Sequence, residues 1–510
     1  MKAVILAAGV GSRLQPITYN NPKCLTKIYG TSLLERQIQS FESNLVSDVY
    51  IVTGYRMEAI KSLELNRKYK KIKIHIIENE NYEMTNNMYS LYLVSKYLKG
   101  EAFILCNGDI IFENSIVKEL IQSEFDDLVA VEQGLFLEES MKIQLNEQNL
   151  IIDISKNIGE THSFGCSADL YKFSKLSSEI LFTEIEKIIE DEKNLKDWTE
   201  VALQRLFRQK RLFMKPHLIN GQKWVEIDNY EDLEIADFLF SDLEINQNTI
   251  CFIDIDGTLF SGNKLIEGSD KFISYLQESK IEFYLLSNNS SYSKLSLSQK
   301  LSGMGIKVTE DQIILSTDGL IEYLQQEKIT NTYVVGTPEM KEMFELIGID
   351  PESKNPSCVV LGYDTDISYQ KIVQASHFIN KGVPLLATHC DVNCPTPEGP
   401  IPDIGSFLKM FEVALNQKPE KVFGKPNSEM IKHKINKFNH SSINSVVIGD
   451  RVYTDMVLAK NCNIGFICVL SGETKREQIE DLESYPDLIV NKAYEIIKKI
   501  KIKVPQKVLD

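Results

Sequence analysis

Two α/β units in tandem are the fold that the sequence predicts, and three observations carry that prediction. The chain has 510 residues and a mass of 58.2 kDa, more than a single hydrophobic core usually serves. From residue 3 onward, short β-rich apolar runs alternate with amphipathic stretches, as expected of a largely parallel sheet covered by helices. After the acidic and polar passage SDLEINQNT, residues 241–249, the same alternation starts again with ICFIDI.

In the first unit AVIL opens as a strand, LLERQIQSF follows as a helix, and VYIVTG returns as a strand. A helix is expected after Arg56, a strand at IKIHII, a helix around MYSLYLVSKYL, and a strand at AFILC ending on Cys106. A second set of elements runs to about residue 240 and closes with KWVEIDNYEDLEIADFLF. In the second unit ICFIDI leads to a helix near residues 270–279, then IEFYLLSNNS, a helix from about Tyr292, and later KVFGKP and SVVIGD. No internal repeat relates the two units, because their strand-to-loop chemistry differs. VNKAYEIIKKIKIKVPQKVLD reads as a last helix and a solvated lysine-rich tail.

Composition is that of a globular protein, 43% hydrophobic and 25% charged. A formal net charge of -16 and a pI near 5.1 argue against nucleic acid as the principal partner and point to small molecules, a local basic pocket for a phosphate ester included. The nine cysteines are scattered singly, and an odd, unpatterned set does not predict a disulfide framework. His389, Cys390 and Cys394 fall near one another but lack the paired spacing of a zinc site, so ordinary structural cysteines are expected. No apolar run reaches about 18 residues, and the opening MKAVILAAGVGSR turns polar too early for a span or leader. A cytoplasmic location without membrane insertion is the expectation, and homo-oligomerisation stays open.

Chemistry concentrates first at AAGVGSRLQP, where Gly9 and Gly11 follow a strand and leave room for backbone N–H groups to approach phosphate. Arg13 and Lys23 supply mobile positive charge. The spacing is neither a dinucleotide fingerprint nor a Walker loop, and a mere tight turn would look similar. ILCNGDIIF places Asp109 just after a strand, and WVEIDNYEDL places Glu226 and Asp228 just before a helix. Single acids at strand ends are usually solvated; together with the glycine loop these make a coherent magnesium site.

AVILAAGVGSRLQPITYNNPKCLTKIYGTSLLERQI and NGDIIF resemble the opening and the metal-binding strand end of the sugar-phosphate-type nucleotidyltransferases. TNNMYSLYL, residues 85–93, is similar to the loop of their phosphocholine and aminoethylphosphonate cytidylyltransferase subgroup. The resemblance covers about residues 1–240. It implies CTP as donor, with Ala8, Gly9, Gly11 and Arg13 cradling its phosphates and Lys23 reaching them from the other side. It further implies Asp109 and Asp228 as magnesium ligands, Asn87 facing the ligands, and Lys156 in the place of a phosphate-directed lysine or, alternatively, in a surface salt bridge. For the acceptor, a trimethylammonium head would need an aromatic cage, for which Tyr89, Tyr92, Trp198 and Trp224 with Asp197 are candidates alongside ordinary core packing. LKDWTEV departs from the residue order of the choline enzymes, so a phosphorylated alcohol, amino alcohol or polyol, or a phosphonate, stays open.

A second centre begins at CFIDIDGTLF. Asp254 and Asp256, two apart at a strand end, divide the roles of nucleophile and general acid–base in phosphoryl transfer. LLSNNSS supplies Ser287 and Asn288 for phosphate oxygens, FGKP supplies Lys425, and VVIGDRVYTDM supplies Asp450 and Asp455 for a magnesium ion shared with Asp254. This half resembles the haloacid-dehalogenase-like phosphatases of the NagD and nitrophenyl-phosphatase group, and ATHCDVNCPTPEGPIPDIGSF is similar to that group's return from cap to core. The resemblance implies magnesium bound also by Asp256, and Asp391 and Asn393 facing the substrate.

The expected architecture is therefore a Rossmann-like nucleotidyltransferase domain, residues 1–243, followed by a haloacid-dehalogenase-like Rossmannoid core, 250–317 and 401–500, with an inserted α/β cap, 318–400. The expected function is twofold: cytidylyl transfer to a small phosphorylated acceptor, and hydrolysis of a small phosphomonoester, with Mg2+ in both halves. Such a fusion would feed a surface polymer or lipid. A uridylyl-, guanylyl- or thymidylyltransferase acting on a sugar phosphate, or one half kept as a non-catalytic module, is the alternative.

Overall fold

The computed structural model describes residues 1–262, 264–394, 399–437 and 444–501. The expected lysine-rich tail beyond residue 501 and the PTPE portion of the expected return segment lie outside the described residues. Two compact units meet in sequence between Phe240 and Ser241, at the start of the polar passage.

In the first unit the strand Lys2–Ala7 pairs in parallel with Asp48–Thr53 on one side and Phe103–Asn107 on the other, and Lys73–Glu78 extends the parallel half. Its run of apolar residues is continuous because both faces are covered. Val4 and Leu6 enter one core while Ala3, Ile5 and Ala7 enter the other, as the two-residue period of a strand requires. The other half of the sheet is mainly antiparallel: Gly165–Phe173 pairs with Phe103–Asn107 and with Leu128–Gln133, while Lys215–Leu218 joins Leu128–Gln133 in parallel. The nine-stranded sheet is thus mixed rather than largely parallel. The helix Leu33–Ser43 starts where Ser32 Oγ accepts the Glu35 N–H and donates back to the Glu35 carboxylate at 2.8 Å, two local signals that fix its first turn. The helix expected around MYSLYLVSKYL is two short ones, Asn87–Tyr92 and Ser95–Leu98.

The second unit holds a six-stranded sheet in the order Ile313–Leu315, Glu282–Ser287, Thr249–Asp254, Asn444–Gly449, Gly465–Val469 and Leu488–Val490, every pairing parallel. Alternation again serves two cores, Cys251 and Ile253 on one side, Ile250 and Phe252 on the other. Between Ile313–Leu315 and Asn444–Gly449 in sequence, the chain departs to build a second parallel sheet from Thr332–Val335, Cys358–Leu361, Leu385–Ala387 and Lys421–Val422. The inserted sheet therefore extends past residue 400. Helices Tyr369–Asn380 and Ile404–Leu415 pack on one of its faces, and Pro338–Leu346 on the other. No helix among the described residues is long and apolar enough to cross a membrane.

Candidate functional site

In the first unit Lys2–Ala7 and Phe103–Asn107 run side by side with Leu6 opposite Asn107, so the loops after Ala7 and Asn107 emerge at one sheet end. The hairpin-like pairing of Trp224–Glu226 with Ile110–Phe112 brings the third acidic segment to the same place. There a cavity of about 360 Å3 is lined by Ala8, Gly9, Arg13, Asn87, Asp109 and Asp228 among others. Asp109, Glu226 and Asp228 each offer a carboxylate oxygen within 4.8 Å of the others.

Lys23 lies between them, its Nζ 2.8 Å from Asp109 Oδ2 and 2.6 Å from Asp228 Oδ1. Burial works against the ammonium charge, but the two carboxylates override it and raise the lysine above its ordinary range. Burial pushes the Glu226 carboxyl up, and the neighbouring Asp169 and Asp109 charges push it further. Asp109 Oδ1 is buried with no hydrogen-bond partner. An orphaned oxygen inside a carboxylate trio fits a hard divalent cation such as magnesium, with Asp109, Glu226 and Asp228 as the side chains to hold it.

The sequence-predicted residues divide here. Gly9 lines the cavity, and a Cβ on it would meet nothing within 4 Å. Gly11 serves another purpose: its φ is +67°, and a Cβ would stand 2.8 Å from Lys23 Cβ. We expect Gly11→Ala to lower the unfolding free energy by about 1–2 kcal/mol from the left-handed backbone alone, read as a lower midpoint in denaturant. Lys23 is held between carboxylates and does not line the cavity, whereas Arg13 does, lying 3.4 Å from Asp228 with an exposed side chain free to turn. Asn87 lines the cavity while its Oδ1 accepts the Thr199 N–H at 2.8 Å, tying it to the helix Thr199–Arg208. Lys156 is not a surface ion pair; its Nζ sits 5.3 Å from the centre of the Trp198 ring and it lines the cavity.

An aromatic cage does not form. Tyr89 and Tyr92 pack on the core, with the Tyr92 hydroxyl bound to Glu190, and Trp224 donates to Glu132 at 2.6 Å. Asp197 accepts from Asn194. Only Trp198 of the four rings lines the cavity, with Lys156 over one face. What the sequence did not signal is a deeper acidic wall. Asp169, in a left-handed conformation at φ 51° beside a register shift, and Glu200 both lie within hydrogen-bond reach of the Tyr171 hydroxyl, at 3.1 and 2.9 Å. One hydroxyl proton serves one of them at a time, and burial raises both carboxyls.

In the second unit Asp254 ends the central strand and Asp450 follows its parallel neighbour Asn444–Gly449. Asp254, Asp450 and Asp455 place one oxygen each within 4.8 Å of the others. Lys425 is buried among them, bonded to Asp254 Oδ1 and, at 2.7 Å, to Asp455 Oδ1. Burial opposes its charge too, and the Asp254 and Asp455 carboxylates again outweigh burial and raise it. Asp450 is raised by burial and then by the Asp254 and Asp455 charges; its Oδ2 accepts the Glu473 N–H at 2.7 Å, while Oδ1 is buried without a partner. This trio fits magnesium on the same grounds as the first. Gly257, at φ +92°, is required where it stands, because a Cβ would come within 2.4 Å of Asp450 Oδ2.

A cavity of about 30 Å3 opens beside the trio, lined by Asp254, Asp256, Asn288, Asn289, Lys425 and Arg451 among others. Asp256 lines the cavity but stands outside the carboxylate trio, so its side chain is not among those that would hold the metal. The residue is exposed to solvent, yet its carboxyl is raised, by loss of hydration in the cleft and then by the Asp254 charge. Asn288 Oδ1 accepts the Lys425 N–H at 2.8 Å and joins the two loops. Ser287 does not line the cavity; its Oγ accepts the Asn289 N–H at 3.1 Å, so it shapes the turn while Asn289 takes the lining position. Asp391 lines the cavity, but Asn393 pairs with Pro402 in a short antiparallel ladder instead. Arg451, adjacent to Asp450, was readable from its neighbour; His389 and Asp403, 14 residues apart and 3.0 Å from each other, were not.

Comparison with known proteins agrees with this division. A family model of MobA-like NTP transferase domains matches residues 3–167. One of haloacid dehalogenase-like hydrolases matches residues 251–350, and a further HAD-hydrolase-like model matches 422–496. A dihydroxyacetone phosphatase of Corynebacterium glutamicum is 30% identical over 239 residues, 47% of this chain and 86% of that protein. A 5'-nucleotidase of Bacillus subtilis is 28% identical over 230 residues, 45% of this chain and 90% of that protein. Among solved structures, a 4-nitrophenylphosphatase from Thermotoga maritima is 34% identical, covering 50% of this chain and 98% of its own, with a TM-score of 0.48.

Proposed function

Because the chain belongs, through its second half, to the haloacid dehalogenase-like hydrolases and carries a MobA-like NTP-transferase domain before it, we propose that one polypeptide performs two separate phosphorus chemistries. The observation that carries this reading is the recurrence of one device in two unrelated sheets: three carboxylates converging near strand ends, two of them ion-paired to one largely enclosed lysine.

In the first half an acceptor phosphate oxygen attacks the α-phosphorus of a nucleoside triphosphate, the bond to the β-phosphate oxygen breaks, and pyrophosphate leaves. The acceptor is already anionic, so no base is needed; alignment and charge compensation by Arg13 and Lys156 are the protein's contribution. Bound magnesium would neutralise phosphate charge. The finer reading is CTP as donor and a small phosphorylated alcohol, amino alcohol or phosphonate as acceptor, supported by the TNNMYSLYL segment, whose Asn87 faces the cavity. The general NTP-transferase model favours a second reading, a UTP-, GTP- or dTTP-dependent transferase acting on a sugar phosphate.

In the second half Asp254 attacks the phosphorus of a small monoester while Asp256 protonates the leaving alcohol. Asp256 then takes a proton from water, which cleaves the aspartyl-phosphate and releases inorganic phosphate. A cytoplasmic setting belongs to this reading, as does supply of an activated precursor for a surface polymer or lipid.

The test is a matrix of four nucleoside triphosphates against phosphocholine, phosphoethanolamine, aminoethylphosphonate, glycerol phosphates and sugar phosphates, scored by pyrophosphate release with and without a chelator. Turnover of CTP with a non-sugar acceptor would support the finer reading. Turnover with UTP, GTP or dTTP and a sugar phosphate alone would replace the cytidylyl reading by the second. No release with any pair, beside phosphate release from monoesters, would make the first half a binding module.

A further inference from the structure

Lys142, in the first unit, is a charge buried without a counter-charge. The residue is 1% exposed, and among the described residues its ammonium has no carboxylate within ion-pair distance. An ammonium removed from water in this way is expensive, so each of its three N–H donors needs a partner. Nζ donates to Leu137 O at 3.2 Å and to Glu138 O at 2.9 Å, and the centre of the Phe136 ring lies 4.9 Å away. All of these partners belong to one segment, the loop between the strands Leu128–Gln133 and Lys142–Leu145.

That loop borders the first cavity, which Glu139 and Met141 line. Its ends are fixed from outside: the Gly134 N–H donates to Phe164 O at 3.0 Å, Cys166 Sγ to Leu135 O at 3.3 Å, and the Ser167 N–H to Met141 O at 2.7 Å. Between these ties, the Leu137 and Glu138 carbonyls are held by Lys142. Lys142 stands opposite Ser155 in the antiparallel ladder, so Met141 and Lys156 leave that ladder at the same end. Ser167 leads to Asp169, whose N–H donates to Ser167 Oγ at 3.1 Å. The loop is therefore a strap beside Lys156 and Asp169, on strands other than the one that leads to Gly9 and Arg13. Charge decides what lies under it. A triphosphate would be repelled by Glu139 and Asp169, which leaves the strap to the part of the acceptor remote from its phosphate.

We propose that Lys142 is a positioning residue for nucleotidyl transfer: from beneath, its ammonium sets the strap 135–141 so that Glu139 and Met141 form the acceptor's wall of the cavity. Lys142 touches neither substrate; it acts through two backbone carbonyls. This rests on the nucleotidyltransferase reading and adds to it which side chains hold the acceptor and what holds them.

The test uses the full-length protein with Mg2+ and the triphosphate and acceptor that turn over fastest in the matrix above, with KM measured for each substrate separately. Lys142→Met, which keeps the length of the side chain and removes its donors, is expected to raise the acceptor KM by at least about 10-fold and to leave the triphosphate KM within about 2-fold. Glu139→Ala, at an exposed residue, is expected to raise the acceptor KM by at least about 3-fold with the same split. Amide hydrogen exchange over residues 134–141 is expected to be at least about 10-fold faster in Lys142→Met than in wild type. An equal rise in both KM values, or a fall in kcat alone, would overturn the proposal, since Lys142 would then support the fold in general. An unchanged acceptor KM in Glu139→Ala would overturn it even if Lys142→Met did not fold. No pyrophosphate release by wild type with any pair would instead bring down the nucleotidyltransferase reading, and unchanged exchange of the strap would overturn the part given to Lys142 in either case.

Discussion

Asp254→Asn is expected to lower phosphate release by at least about 1,000-fold, the scale of loss when a catalytic nucleophile is removed, while pyrophosphate release stays within about 2-fold of wild type. The substitution keeps the shape of the side chain and takes away the atom that must bond to phosphorus. Lys425 retains Asp455 at 2.7 Å, and Thr258, which donates to Asp254 Oδ2 at 3.2 Å, retains an oxygen acceptor in the amide. The fold should therefore survive, which near-unchanged pyrophosphate release would itself report. Loss of both activities in folded protein would reject their separation.

The reciprocal experiment is Asp228→Asn, expected to reduce pyrophosphate release by about 100- to 1,000-fold, the range found when one electrostatic group of a catalytic site is removed, and to spare phosphate release. Asp228 meets two cations, Lys23 at 2.6 Å and Arg13 at 3.4 Å. Burial pushes its carboxyl up, yet Lys23 and then Arg13 hold it below the usual carboxylate range, so at neutral pH the group lost is a full negative charge. Without it the carboxylate trio becomes a pair, and Lys23 turns wholly to Asp109. Because Asp228 is partly open to solvent, the stability cost should be smaller than for Asp109, whose Oδ1 is buried. An undiminished pyrophosphate rate would remove Asp228 from the machinery.

Much of both sheets was legible because a buried parallel strand must be apolar along its length, and both AVIL and ICFI are. The acids at their ends were legible for a related reason: a carboxylate that closes such a run sits where the apolar sheet stops and is available for chemistry. Asp109, Asp254 and Asp450 follow that rule, whereas Asp228 follows the short, half-buried antiparallel strand Trp224–Glu226. The antiparallel half of the first sheet was not, since pairing direction is set by connections that local periodicity does not encode. Asp169 was hidden by a register shift within a strand buried along its whole length. Rings misled for a physical reason as well: the apolar bodies of Tyr89 and Tyr92 satisfy a core as readily as a ligand cage, and here they take the core. Ser287 stands next to the cavity-lining Asn288, yet its hydroxyl is engaged by the Asn289 N–H in the turn itself, a local bond that the residue pattern alone does not reveal.

The lysine shared among carboxylates has a consequence for cation choice. In each half three carboxylates and one ammonium, taken at full ionisation, sum to a formal charge of -2. A doubly charged ion closes either assembly to electroneutrality, whereas a monovalent ion leaves a residue of one negative charge and a trivalent one overshoots. Bound divalent metal would also lower the raised Glu226 and Asp450 carboxyls back toward the ionised state that this arithmetic assumes.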